Sequence, residues 1–90
     1  MPESQPFYEV QIEPVAWDEI MSLWQSLQER IFAAIERLEV EPRPRGALKL
    51  KGIEATYRIR IGDYRVFYQV QDKILLVLVV KVGNRKDVYR

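Results

Sequence analysis

The stretch Tyr57 to Val70, YRIRIGDYRVFYQV, constrains this chain more than any other. Two runs rich in β-branched and aromatic residues flank Gly62-Asp63. Glycine at the first of two loop positions suits a tight hairpin turn. With those two residues as the loop, Ile61 faces Tyr64, Arg60 faces Arg65 and Arg58 faces Phe67. Side chains alternate between faces along a strand. Tyr57, Ile59, Ile61, Tyr64, Val66, Tyr68 and Val70 therefore share one face, the expected core side. Arg58, Arg60, Arg65, Phe67 and Gln69 share the other.

The second face is the informative one. Like charges directly opposite on a sheet are unfavourable by roughly 0.2–1 kcal/mol. An anion held among the guanidiniums offsets that repulsion, because the planar fork of arginine matches phosphate oxygens. This pattern fits a phosphate or nucleic-acid site. It also fits a solvated charged face on a one-sided sheet, and spacing alone leaves both readings open.

The rest of the chain supplies what such a hairpin needs. Phe7 to Ile12 alternates as a strand and stops at Glu13-Pro14, where proline cannot donate to a ladder. From Val15 to Glu39, apolar residues recur at steps of three and four. Ser26-Leu27-Gln28-Glu29 fits a capping box, which predicts two helices, Val15–Gln25 and Leu27–Glu39, folded as a helical hairpin. Glu41 to Gly46 is a loop with two prolines and a glycine. Lys49 and Lys51 follow, two residues apart and on one side if extended; they are candidates for phosphate contact or a solvated pair. Ile74 to Val82 is apolar at nearly every position, as a central strand buried on both faces would be. Gly83-Asn84 ends it, and Arg85 lies just beyond.

This order predicts an α+β fold in one domain, residues 1–90: an N-terminal strand, then a two-helix hairpin packed on one face of a curved antiparallel sheet of about four strands. The arginine face is left open.

Composition narrows the chemistry. The chain has neither histidine nor cysteine, which removes the commonest general base and argues against a zinc site. No cofactor and no metal are expected. The first ten residues hold no secretory signal pattern, and the longest apolar run is far too short to span a bilayer. A cytoplasmic protein without membrane contact is expected. The net charge is only +1, yet it is unevenly spread. Residues 1–42 carry two basic against nine acidic residues, and residues 43–90 carry twelve against four. Such polarity suits a face for a polyanion or an acidic partner.

LKLKG, YRIRIGDYRVFYQV, the apolar strand and VGNRKDVYR together resemble the RelE branch of the RelE/ParE toxins of toxin–antitoxin systems, over roughly residues 7–90. The resemblance implies a metal-independent mRNA interferase that cuts messenger RNA, commonly in the ribosomal A site. It also implies a cognate small antitoxin, RelB-like, whose helical segment wraps the toxin. Carried over by matching position, Arg58 and Arg60 fall on the paired basic residues before the turn. Arg65 falls on the arginine of the GDYR element, Arg85 on the arginine after the strand, and Tyr89 on the near-terminal tyrosine. These roles follow: Arg65 and Arg85 hold the phosphate and stabilise the transition state, while Tyr89 stacks on or orients the nucleotide. Arg58 and Arg60 position RNA, with Lys49, Lys51 and Lys86 as further phosphate contacts. Asn84 stands where relatives often carry His or Lys, which leaves Lys86 and Tyr89 for proton transfer. Two other readings are a ParE-like gyrase inhibitor and a non-catalytic module that grips RNA or antitoxin through the same face.

Overall fold

The computed structural model describes residues 7–84. A strand β1 (Glu9–Ile12) leads into helices α1 (Pro14–Met21) and α2 (Gln25–Arg37). Strands β2 (Leu48–Lys49), β3 (Thr56–Ile61), β4 (Tyr64–Gln71) and β5 (Leu76–Asn84) follow. They form one sheet in the order β1-β5-β4-β3-β2.

The α+β class with both helices on one sheet face holds. The sheet has five strands and is mixed, because β1 lies parallel to β5, from Glu9 beside Leu76 to Ile12 beside Val79. A strand's own alternation fixes which side chains point inward, but not the direction of its neighbour. The β5 strand is interior but not central; β4 holds the middle place. Only one face of β5 is closed: Val77, Val79 and Val82 are buried, whereas Leu76, Leu78 and Val80 are half-buried. A bulge opposite Phe67/Tyr68 places Tyr68 beside Val79 and Phe67 beside Lys81. It keeps Val82 on the buried side.

The core is one cluster. Ala16 and Ile20 of α1, with Ile31, Ile35 and Leu38 of or beside α2, meet Ile59, Ile61, Val66, Tyr68, Val70, Val77, Val79 and Val82 of the sheet. Each large aliphatic side chain buried in this way contributes about 1.5–3 kcal/mol.

The break between the helices comes earlier than the capping-box pattern implies. Helix α2 starts at Gln25 with Trp24 at its N-cap and no side-chain cap hydrogen bond, so Ser26 lies within the first turn. The connection is held instead by Gln28, whose Nε2 donates to Leu23 O at 2.7 Å and to Met21 O at 3.3 Å.

A polar network pins the Pro-rich loop. Arg43 donates through Nη1 and Nη2 to both oxygens of Asp72, at 3.2 and 2.7 Å, and through Nε to the Tyr57 hydroxyl at 2.9 Å. Tyr8 donates to Asp72 Oδ1 at 2.6 Å. Tyr68, fully buried, stacks against Tyr57 and donates to Pro42 O at 2.8 Å. Burial, with the Tyr57 phenol adding to it, pushes the Tyr68 hydroxyl up to about 12.

Candidate functional site

The hairpin has the register its sequence dictates. Ile61 faces Tyr64, Arg60 faces Arg65 and Arg58 faces Phe67. Gly62 sits at the turn with φ +61°, the positive value that the first position of a type II′ turn requires and that glycine adopts without strain. Ile59, Ile61, Val66, Tyr68 and Val70 are buried under the helices. Arg58, Arg60 and Arg65 therefore project from the opposite face.

The three arginines differ in environment. Arg65 is only 5% exposed, although it lies on the face away from the helices. Its neighbour on β5 is Gly83, which leaves that flank of Arg65 clear of a side chain. Arg58 is half-buried between Leu48 on β2 and Phe67 on β4. Its Nη1 is shut off from solvent and has no hydrogen-bond partner among the described residues. A desolvated guanidinium nitrogen is costly without an acceptor. Arg60 is exposed, and β2 pairs only with Tyr57 and Arg58, so Arg60 stands beyond the end of that ladder.

The lysines are placed differently. Lys49 pairs with Tyr57, which puts it on the helix side of the sheet; Leu48 takes the arginine side. Lys49 and Lys51 do come together, lining a shallow cleft with Gly52, Ile53 and Glu54. Register does not bring this cleft onto the face of Arg58, Arg60 and Arg65. Arg85, Lys86 and Tyr89 lie outside the described residues. Asn84 closes β5 opposite Tyr64, on the helix side.

Sequence reasoning passed over Lys81 and Glu19. Lys81 pairs with Phe67 across the sheet, yet its Nζ turns to Glu19 Oε2 of α1 at 2.8 Å. It is therefore neutralised rather than added to the arginine set. No group of acidic side chains among the described residues could hold a metal ion. No helix among them is long and apolar enough to cross a membrane.

What the face can do follows from its charge. The hairpin holds its guanidiniums on one face, Arg65 buried and Arg58 with a desolvated nitrogen, an arrangement that concentrates positive charge there.

Comparisons with known proteins bear on that chemistry. The family model described as the ParE toxin of the type II toxin–antitoxin system parDE matches residues 10–89. A RelE-like toxin protein of Escherichia coli is 33% identical over 86 residues, 91% of this chain and 90% of that protein. Toxin RelG of Mycobacterium tuberculosis is 32% identical over 69 residues, 71% of this chain and 79% of that one. Among solved structures, the archaeal RelE–RelB complex from Pyrococcus horikoshii contains a chain that superposes with a TM-score of 0.80 at 32% identity, covering 90% of this chain and 98% of that one.

Proposed function

We propose that this chain, which belongs to the RelE/ParE superfamily of toxin–antitoxin toxins, is an endoribonuclease that cuts messenger RNA in the ribosomal A site without a metal. The observation that carries this reading is the arginine face: Arg60 directly opposite Arg65, Arg65 buried, and Arg58 Nη1 desolvated with no acceptor among the described residues. A phosphate seated there supplies an acceptor for Arg58 Nη1.

In the proposed reaction the ribose 2′-oxygen attacks the adjacent phosphorus as its proton leaves. The bond to the 5′-oxygen breaks, and that oxygen takes up a proton. The products are a 2′,3′-cyclic phosphate and a free 5′-hydroxyl. Negative charge builds on the phosphorane oxygens, and its stabilisation is assigned to Arg65 and Arg85. Arg58 and Arg60 hold the strand. Arginine keeps its proton in proteins, so proton transfer is assigned to Lys86 and Tyr89. The ribosome supplies the alignment of the 2′-oxygen.

The partner we assign is a small RelB-like antitoxin in a hetero-oligomer, supported by the RelE–RelB complex to which this chain is similar. Primer extension on a reporter transcript after induction tests the enzyme. New 5′ ends at codon boundaries that vanish when translation is blocked are expected, and their absence overturns the assignment.

A second reading is a ParE-like inhibitor of DNA gyrase; the family model that matches is that of the ParE toxin. Purified protein that blocks supercoiling by gyrase and leaves translated mRNA intact would establish it instead.

A further inference from the structure

The charges of α2 are sorted by flank. Glu29, Glu36 and the following Glu39 line a groove with Val10 on the β1 side. Arg30 and Arg37 line a cleft of about 350 Å³ on the hairpin side, together with Ala33, Ala34, Ile61, Gly62 and Arg60. No carboxylate lines that second cleft. Neither Arg30, Arg37 nor Arg60 forms an ion pair or hydrogen bond with a described residue. Arg30 lies against the turn: a Cβ built on Gly62 would stand 3.7 Å from its Nη2.

Arg30 and Arg37 bring two guanidiniums to one side of the cleft, and Arg60 borders it along β3 while its side chain belongs to the far face of the sheet; no carboxylate in the lining offsets them. Arg30 and Arg37 are seven residues apart, so they rise on the same helix flank about 10 Å from each other. The cleft is thus an elongated basic track. Its floor is Ala33, Ala34 and Ile61, with no aromatic ring on which a base could stack. Arg60 belongs both to this cleft and, through its pairing with Arg65, to the candidate active face.

We infer that the Arg30–Arg37–Arg60 cleft is a binding track for the backbone phosphates of single-stranded RNA, continuing the path of the substrate from the arginine face around the hairpin turn onto α2. This rests on the ribonuclease reading above and extends it to residues outside the reacting centre. The chemistry recognised is the phosphodiester backbone, so binding through this track is indifferent to base sequence.

The test is binding of the full chain to a fluorescent 2′-O-methyl RNA 12-mer, which cannot be cleaved, across a series of salt concentrations. Arg30→Gln, Arg37→Gln and the double variant are compared with wild type and with Arg58→Ala, after thermal melts confirm folding. Each glutamine substitution is expected to weaken binding about 3- to 10-fold, equally for unrelated sequences, and to flatten the log–log salt slope by about 0.7. If Arg58→Ala weakens binding but the α2 variants do not, the track is refuted and the active face stands. If wild type binds no RNA, the track is refuted, and the nuclease reading is decided separately by the primer-extension experiment. If the α2 variants keep RNA affinity but lose affinity for poly-glutamate, the cleft serves an acidic protein partner and the inference is overturned.

Discussion

The carboxylate of Glu19 finishes the free edge of β5 at Val82. Strand β1 ends once Glu13 N–H has donated to Val79 O, and Pro14 turns the chain into α1. Among the described residues, the edge beyond Val79 therefore has no strand beside it. Glu19 Oε1 accepts the Val82 N–H at 2.7 Å, and Oε2 accepts from Lys81 Nζ at 2.8 Å. Val82 is 2% exposed, so losing this acceptor leaves a buried donor unpaired. Glu19→Ala is expected to destabilise the protein by about 1–3 kcal/mol. Glu19→Gln keeps an oxygen for Val82 and loses only a partly exposed ion pair, expected at about 1 kcal/mol or less. Urea denaturation separates the two; equal losses would show that the charge, and not the edge hydrogen bond, is what matters.

Arg65→Ala removes the buried guanidinium from the arginine face. Loss of one donor to a developing oxyanion typically lowers the rate about 10²- to 10³-fold. We expect that loss in cleavage of translated mRNA, with Arg65→Lys restoring only part of it because lysine keeps the charge without the fork. Circular dichroism at the assay temperature checks that the variants are folded. Cleavage at the wild-type rate by folded Arg65→Ala would remove Arg65 from the mechanism.

Tyr68 makes alkaline stability a readout of core packing. Its hydroxyl is held protonated up to about 12 in the fold, against about 10 for an unperturbed tyrosine. The neutral form is favoured in the folded state, so its contribution is complete below pH 10 and is lost as pH rises toward 12. Tyr68→Phe lacks both the hydrogen bond to Pro42 O and this ionisation. The stability gap between wild type and variant should be about 1 kcal/mol, flat from pH 7 to 10, and should shrink above that. Chemical denaturation at pH 8, 10 and 11 measures it; a gap that stays constant to pH 11 would contradict the assignment.

What could be read from the sequence followed from local periodicity. The hairpin register was legible because two period-2 runs meet at a Gly-Asp turn, which leaves one phase for every residue from Tyr57 to Val70. The arginine face followed from that phase. Lys49 was not legible in the same way. It follows the Pro- and Gly-rich loop of Glu41 to Gly46, which gives no marker of phase, and in the sheet Leu48 takes the place beside Arg58. Helix α2 starts earlier than the capping composition of Ser26 suggests, because a contact between Gln28 and the carbonyls of Met21 and Leu23 fixes the turn. The parallel pairing of β1 with β5 and the Arg43–Asp72 ion pair join distant segments, which no window of adjacent residues contains.

Asp72 provides an acid-side counterpart. Hydrogen bonds from Arg43 first, and then from Tyr8, hold its carboxyl below the usual carboxylate range. The charged form is favoured in the fold. Its contribution is therefore present above the unfolded value of about 3.9, and it disappears as pH falls through the lower folded value. Both partners are substantially exposed, at 41% and 55%, so salt should weaken the pair as well. Asp72→Asn is expected to lower the thermal midpoint at pH 7 and low ionic strength. The difference should narrow in 1 M salt and close further as pH drops below 4. The same network ties the loop of Arg43 to β1 through Tyr8, so amide exchange near Arg43 should quicken in the variant at pH 7. A midpoint difference that is identical at pH 7 and pH 3 would mean that shape, and not charge, holds the loop.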